Sequence, residues 1–380
     1  MANFNGQLRS NEIFSALYNM IISQEVFADN LGKHQTLVDQ ARVDGGLFGD
    51  TKLYYATDVL KSAPWGLLDG KTGHMDVEAA NLLALHRPPS PECQAIHLDV
   101  FRQICLTVDN YMSKRAWADE GAFSSFNSIM LGWMRETKRV YDGTLYNVFI
   151  GTTKSAEAGQ NREIAVKGLT DAKEEAMLIA QGIADLIVEM GDYSREFNDY
   201  KNLRSYAEDA IKVVWNSKFV NKIKKIDLPT IFHKDGLMDK FDEEILPARY
   251  FGRGVESSDI GEGKIIGADG AYDSTKGTLR AKKEFDYNDV HYFPGDALAT
   301  SGTYVAVVGG LEASDVYIED ADIICKVLVK LPPYMSAFEV GTSFFNPKSL
   351  TENHYLTFGH NTIEYLKNYP FITVKAVAAE

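Results

Sequence analysis

The stretch that decides the fold is IHLDVFRQICLTV, at residues 96–108. Apolar side chains of one parity, from Ile96 to Val108, alternate with a more polar set that begins at His97 and Asp99. Alternation of this kind predicts a β-strand with one buried face. At about 3.3 Å per residue the strand would be roughly 40 Å long, whereas ordinary strands have about 5–6 residues. We therefore expect it to project beyond a compact core.

A long helix is predicted directly after this strand, over residues 114–142, with Gly143 at its end. An apolar stripe at helical spacing predicts the side that packs on the sheet, and it consists of Phe126, Ile129, Met130, Trp133 and Met134. Trp133 and Met134 are expected to hold the helix against its own sheet.

The flanking segments predict a chain of mixed α and β structure. A helix is predicted at residues 10–29, as core or as an arm on a neighbouring subunit, and a short strand at 52–59. After the long helix, strands are predicted at 145–153 and 164–168, a helix at 170–190, a strand at 209–216 and a helix at 217–226. Residues 253–302 are rich in Gly, Asp and Ser, which indicates an exposed insertion loop or small hairpin. Further strands follow to the end.

Composition narrows the class of protein. The 380 residues carry 39 basic and 53 acidic side chains, for a net charge of -14, and an acidic chain repels nucleic-acid phosphates. The three cysteines include no CxxC pair, so no disulfide framework or zinc knuckle is indicated. Residues 1–12 lack the pattern of a signal peptide, and no segment has about 18 consecutive apolar residues, so neither a signal peptide nor a membrane span is expected. A soluble protein of a reducing compartment is expected, with no membrane partner.

The search for chemistry predicts no catalytic, cofactor-binding or metal-ligating residue. Gly261–Lys264 lacks the spacing of a phosphate loop, and Asp269–Asp273 lacks the glutamate of a calcium loop, so both are interpreted as turns. His354 and His360 could share one side of a strand, but ordinary histidines are favoured over a metal site. Cys105 and Cys325 are predicted to be inert core thiols. An acidic enzyme without a recognisable motif stays open as an alternative.

The order of the elements resembles a known family, the major capsid proteins of tailed bacteriophages with the Hong Kong 97-like fold. The resemblance is carried by the long strand, by the helix after it, and by YKNLRSYAEDAIKVVWNSKFVNKIKKIDLPTIFHKDGL at residues 200–237. That stretch is similar to the axial-domain region of short-tailed phage capsid proteins. The family resemblance covers most of residues 50–380.

The resemblance implies an α+β fold with an N-terminal arm, an extended two-stranded loop, a spine helix, and peripheral and axial domains. The implied boundaries are 1–49 for the arm, 50–113 for the extended loop, 114–168 for the peripheral domain with the spine helix, 169–330 for the axial domain including the insertion, and 331–380 for the return strands. An encapsulin-like nanocompartment shell shares this fold and stays open.

The resemblance also implies a structural role rather than an enzymatic one, with no cofactor. The partners would be further copies in pentamers and hexamers, a separate scaffolding protein and a portal protein, with decoration proteins left open. The shell would enclose genomic DNA in the virion after assembly in the host cytoplasm. Contacts between subunits are expected at Lys52, Tyr54, Tyr55, Asp58, His97, Asp99, Phe101 and Gln103. The axial module is expected to include Tyr206, Trp215, Asn216 and Phe219.

Overall fold

The computed structural model describes residues 36–46, 50–62, 85, 87–109, 120–224, 242–299 and 314–378. The predicted helix at 10–29 and most of the segment 60–90 lie outside these ranges. In the described residues the helices are α1 Thr36–Ala41, α2 Glu120–Thr152, α3 Ala172–Gly191 and α4 Ser217–Lys224.

Fifteen strands accompany these helices in the described ranges, which confirms a mixed α and β chain in which strands predominate. In chain order they are β1 Arg42–Asp44, β2 Thr51–Ala56, β3 Glu92–Asp109, β4 Asn161–Lys167, β5 Lys212–Asn216, β6 Asp242–Leu246, β7 Gly252–Gly254, β8 Leu279–Ala281, β9 Phe285–Tyr287, β10 Val290–Tyr292, β11 Val316–Glu319, β12 Ile323–Leu328, β13 Tyr334–Asn346, β14 Thr351–Asn361 and β15 Phe371–Ala378.

The long strand predicted from the sequence is the centre of one sheet. β3 has 18 residues, and it pairs with β14 over most of its length and with β2 at its start. The strand order is β1-β13-β14-β3-β2, and we call this the long sheet. Ile96, Leu98 and Val108 of β3 are buried while His97, Asp99 and Thr107 are exposed, so the alternation predicted the parity correctly.

A second sheet is enclosed on both faces. Its order is β4-β15-β12-β5-β6, and we call it the enclosed sheet. Val213 and Trp215 face a core built with α3, whereas Val214 faces the opposite core, to which the end of α2 contributes. A strand covered on both sides must be apolar at successive positions, which explains the run KVVWN, buried at all five residues.

The helix α2 is longer than predicted, and two predictions made around Gly143 are wrong. The helix continues through Gly143 to Thr152, so the strand predicted at 145–153 is helical up to Thr152. Tyr146 and Ile150 are fully buried in the core under the enclosed sheet, and this packing outweighs the strand preference of the β-branched residues. Thr152 donates its hydroxyl back to the carbonyl of Val148 at 2.7 Å, inside the helix.

The region predicted as an exposed insertion is a small folded unit. Strands β7, β11 and β8 form a three-stranded sheet, and β9 and β10 form a hairpin beside it. Its own core includes Ile266, Leu279 and Val316, all fully buried. Gly and Asp occur here in turns between short strands, as at Gly261–Lys264 and Asp269–Asp273, so the composition indicated the turns but concealed the core between them.

Candidate assembly surface

The long sheet has two different faces. Residues directly opposite each other on neighbouring strands share a face, so the register assigns each side chain. We define the outer face by Phe101, Gln103, Cys105 and Thr107 of β3, Asn353, Tyr355 and Thr357 of β14, and Val340, Thr342 and Phe344 of β13. We define the inner face by Arg102, Ile104, Leu106, His354, Leu356, Phe358 and His360.

The helix α2 covers part of the inner face. Tyr141 of the helix lies against Phe358, with ring centroids 5.8 Å apart, and its hydroxyl is 2.8 Å from Nε2 of His360. Burial raises the pKa of Tyr141 to about 12 and lowers the pKa of His360. The second ring nitrogen of His360 contacts the carbonyl of Asn361 at 2.8 Å. Both nitrogens of His360 are therefore occupied, which disfavours a metal site shared with His354.

A buried carboxylate fixes α2 to the long sheet. Asp142 is 1% exposed and receives the Tyr334 hydroxyl at 2.7 Å and the Lys138 ammonium at 2.9 Å. Arg42 of β1 adds a third donor at 3.4 Å. Desolvation, with the Asp142 carboxylate as the next cause, raises the pKa of Tyr334 far above its ordinary value, so the phenol stays a donor. The cluster joins β1, β13 and α2 at one point. Nothing in the sequence indicates this cluster, because Arg42, Tyr334 and the Lys138–Asp142 pair are far apart in the chain.

The predicted packing stripe of α2 is only partly as expected. Met134 is buried against the sheet, beside a cleft of about 360 Å³ that Leu356 and His354 also line. Trp133 is 37% exposed, so it is less covered than Met134, and the expectation that it holds the helix to its own sheet stays a prediction. The side chains of Phe126, Ile129 and Met130 lie outside the described residues. On a helix, neighbouring positions point about 100° apart, and here the contact with the sheet falls on the side of Met134, Lys138 and Tyr141.

The outer face is polar at its centre and apolar at its ends. Gln103 donates to the Thr357 hydroxyl at 2.9 Å, and Thr107 donates to Oδ1 of Asn353 at 2.8 Å. Phe344 is 60% exposed near the β13–β14 turn, and Phe101 is 55% exposed over Gly359 at the other end. Cys105 is exposed between them, so its prediction as a core thiol is wrong. It belongs to the parity that faces outward.

Cys325, by contrast, is confirmed as a core thiol. It is fully buried in the enclosed sheet, and burial raises the pKa of its thiol far above the ordinary value.

The strand β2 and the segment after it carry further exposed apolar groups. Tyr55 is 64% exposed, and Leu53 and Leu60 are exposed as well. Tyr54 is half-buried, with the Lys330 ammonium 5.6 Å from its ring centre, and Lys52 is also half-buried. Of the residues expected to contact another subunit, Tyr55 and Phe101 are thus the ones with large exposed apolar surfaces.

Four of the expected contact residues have partners within the chain. Asp58 accepts from Arg195 Nη1 at 2.7 Å and from the Leu203 amide at 3.0 Å, and these bonds, Arg195 first, lower the pKa of Asp58 to about 2. Asp99 accepts from the amide and the hydroxyl of Thr362, both at 2.6 Å. His97 contacts the Thr51 hydroxyl at 2.9 Å, and Gln103 binds Thr357 as described. His97, Asp99 and Gln103 thus make their contacts within or beside the long sheet. Asp58 attaches the segment after β2 to Arg195 and Leu203.

The four residues expected in the axial module are all buried. Tyr206, Trp215 and Phe219 belong to the core between α3 and the enclosed sheet. Asn216 is fully buried, donates to the carbonyl of Ile323 at 2.9 Å and accepts from the Lys218 amide at 3.1 Å. Asn216 therefore ends β5 and caps the start of α4. All four are core residues of the enclosed sheet and the helices packed on it, and none lies on the surface.

The described residues contain no group of three or more His, Cys, Asp or Glu side chains that could hold a metal ion. Within the same ranges, no helix has both the length and the apolar character needed to cross a membrane. The features that stand out are the exposed apolar side chains of the long sheet, including those of its edge strand β2. Large exposed apolar surfaces mark sites where another macromolecule binds.

Comparisons with known proteins identify the fold. No protein-family model matches the sequence, and no curated protein matches it either. The chain is similar to one in the capsid structure of Staphylococcus phage Andhra, with a TM-score of 0.55 at 9% identity, over 89% of this chain and 83% of that one. It is also similar to a chain in the structure of the head fiber and inner core protein gp22 of native bacteriophage P68. There the TM-score is 0.54 at 11% identity, over 87% of this chain and 83% of that one. The chain therefore shares a fold with chains of phage heads.

Proposed function

We propose that this chain is the major capsid protein of a tailed bacteriophage. It would be a structural subunit, many copies of which assemble into the shell around double-stranded DNA. The observation that carries the proposal is the shared fold, which extends over 83% of the chain from the phage Andhra capsid and nearly all of this one. A match over 89% of this chain is too extensive to rest on one common supersecondary motif.

The surface of the chain supports a role in assembly. The long sheet exposes Val340, Phe344 and Phe345 of β13, and β2 exposes Leu53 and Tyr55. Contacts with other copies would remove these apolar side chains from water, which favours association. In this proposal residues 50–113 are the extended loop that reaches a neighbouring subunit, and α2 is the spine helix of the peripheral domain.

The remaining parts of the proposal concern the assembly as a whole. Residues 169–330 would form the axial domain of pentamers and hexamers, and 331–380 would supply the return strands. A separate scaffolding protein would guide assembly in the host cytoplasm, and a portal protein would occupy one vertex of the virion shell. The net charge of -14 suits a container that surrounds DNA without binding it tightly.

Electron microscopy of the purified chain tests this function. The chain is produced alone and together with the product of each gene adjacent to its own, and the particles are imaged in negative stain. Closed shells or rings of five and six subunits are expected, larger or more regular when the scaffolding protein is present. Small shells that form without any scaffold and hold a co-encoded enzyme would favour the nanocompartment alternative. A monomer or dimer under every condition would contradict the proposal.

A further inference from the structure

A cavity of about 290 Å³ lies where three parts of the chain meet. It is lined by residues of β4, β12 and β15 of the enclosed sheet, by the end of α2, and by β7 of the small unit. None of the lining residues belongs to the long sheet, so the cavity is separate from the surface on which the proposed function rests.

Three polar side chains form one row across the enclosed sheet inside this cavity. Lys326 of β12 lies directly opposite Thr373 of β15, and Thr373 in turn lies opposite Asn161 of β4. Residues opposite each other on paired strands share a face, and all three line the cavity. Across three neighbouring strands the row spans roughly 10 Å. We call these three residues the polar row.

Lys326 supplies a buried positive charge to the polar row. It is 1% exposed, and its ammonium donates to the carbonyl of Thr153 at 2.9 Å and to the Thr373 hydroxyl at 2.8 Å. Both partners are neutral, and an ammonium has three donors, so one donor is left for a ligand. Burial lowers the pKa of Lys326 to about 7. A buried charge without a counter-charge is unfavourable, and an anion in the cavity would provide one.

The other two members of the polar row add a donor and an acceptor. The Thr373 hydroxyl accepts from Lys326, so its own proton is available for donation. Asn161 donates from its amide nitrogen to the carbonyls of Ser155 and Glu157, whereas its Oδ1 is buried and has no hydrogen-bond partner in the described residues. Buried acceptors are ordinarily paired. The row therefore offers two donors and one acceptor to a single ligand.

The charges around the polar row leave Lys326 unbalanced. Lys154 also lines the cavity and adds a repulsive charge. Glu163 and Glu256 line the cavity as well but are exposed to water, which screens their charges. The remaining cations of the lining are each bound by a carboxylate, Arg253 by Asp259, Lys375 by Asp320 and Arg162 by Glu189.

We propose that the polar row binds inorganic phosphate, with Lys326 and Thr373 donating to its oxygens and its P–OH donating to Oδ1 of Asn161. Near neutral pH inorganic phosphate is an anion that keeps at least one P–OH group. Sulfate has no proton at that pH, and a phosphodiester of DNA has no P–OH group. Neither of them can donate to Asn161, so free phosphate is the ligand. This site is independent of the proposed function and belongs to the single chain.

Equilibrium dialysis of radiolabelled inorganic phosphate against the unassembled full chain tests the site. The pH is 7, and chloride keeps the ionic strength constant. Saturable binding of a single phosphate per chain is expected. Sulfate and a short DNA duplex should displace the label roughly fivefold less well than unlabelled phosphate, the range for one neutral hydrogen bond. No saturable binding, as when water alone fills the cavity, would overturn the proposal. Displacement by sulfate or DNA as effective as by phosphate would also overturn it.

Variants assign the binding to the polar row. Lys326→Met removes the buried donor and should weaken binding by roughly 10- to 100-fold, the range for a hydrogen bond to a charged group. Lys167→Met is the matched control, because Lys167 lies on β4, pairs with Asp322 and does not line the cavity. It should bind as the wild type does. Asn161→Leu should remove the preference for phosphate over sulfate. Wild-type affinity in Lys326→Met would refute the site.

A measurement on the unaltered chain covers the case in which the Lys326 variant fails to fold. Amide hydrogen exchange is compared in saturating phosphate and in chloride of the same ionic strength. Protection should rise in residues 152–163 and 320–326, which border the cavity, and stay constant in the hairpin of β9 and β10. No gain at the cavity, or an equal gain throughout the chain, would refute the site.

Discussion

The enclosed sheet and the long sheet use the same strand-forming residues but complete their cores differently. In the enclosed sheet, α3 and α2 cover the two faces, and Val213, Val214 and Phe371 are all buried. In the long sheet α2 covers part of one face, while Phe344 and Phe345 of β13 are 60% and 50% exposed. The described parts of the chain therefore close the core of one sheet, whereas the other sheet retains exposed apolar surface.

The largest effect is expected when one phenylalanine from each sheet is truncated. Phe371→Ala removes a ring that stacks on Tyr365 at 5.2 Å in a closed core, and should lower the free energy of unfolding by about 3–5 kcal/mol. Phe344→Ala is the matched change on the long sheet and should alter the free energy of unfolding by less than about 0.5 kcal/mol. Urea unfolding of the unassembled chain measures both. Similar losses in the two variants would remove the contrast between the sheets.

The next effect concerns the point where α2 meets the long sheet. Asp142→Asn leaves the buried Lys138 ammonium without the charge at 2.9 Å and should cost about 3 kcal/mol. Asp39→Asn is the control, because Asp39 is exposed and lies 3.8 Å from Arg42. If the Asp142 variant unfolds at the same urea concentration as the control, this cluster does not hold the helix to the sheet.

A pH-dependent effect is expected at Asp58, which follows β2 and accepts hydrogen bonds from Arg195 and Leu203. The pKa of Asp58 is lowered to about 2, so its contribution is present above the ordinary carboxyl pKa and is lost as pH falls toward 2. The stability difference between wild type and Asp58→Asn should thus be full at pH 7 and smaller at pH 3. Urea unfolding midpoints at the two values measure it. A difference that grows at pH 3 would contradict the assigned hydrogen bonds.

The smallest effect is expected for Trp133. Because this side chain is 37% exposed, Trp133→Asp should leave a soluble folded chain and cost less than about 1 kcal/mol. The neighbouring Met134→Asp places a charge at a buried position and should prevent folding. Circular dichroism and solubility of the two variants provide the comparison. Insolubility of the Trp133 variant would show that the ring is needed inside the subunit.

The sequence predicted those elements whose pattern is local. The parity of β3 could be predicted, and so could the strand β5 followed directly by the helix α4. Alternation and capping depend on neighbours in the chain. The end of α2 could not be predicted, because Gly143 and the β-branched residues after it indicate a strand. Only the packing of Tyr146 and Ile150 in the core favours a helix there. The small unit was also missed, because its core residues are separated by turns rich in Gly and Asp.

The candidate surface could be predicted only in part. Tyr55 and Phe101 are exposed as expected of contact residues, but nothing in the spacing of Asp58 or Asp99 indicates Arg195 or Thr362 as partners. Phe344 and Phe345 were not among the expected contacts, although FF within a strand places one ring on each face. Exposure on both faces is set by how far α2 extends along the sheet, which is a tertiary property.

The most direct test is whether other copies of the chain cover the exposed end of the long sheet at Phe344. Phe344→Asp is compared with Met177→Asp, a matched change at a 48% exposed apolar residue of α3, in wild-type assembly conditions. Sedimentation and negative-stain images report shells, and circular dichroism reports folding. The Phe344 variant is expected to fold but to form no shells, while the Met177 variant assembles. Normal shells from the Phe344 variant would show that this end of the long sheet is not an assembly contact.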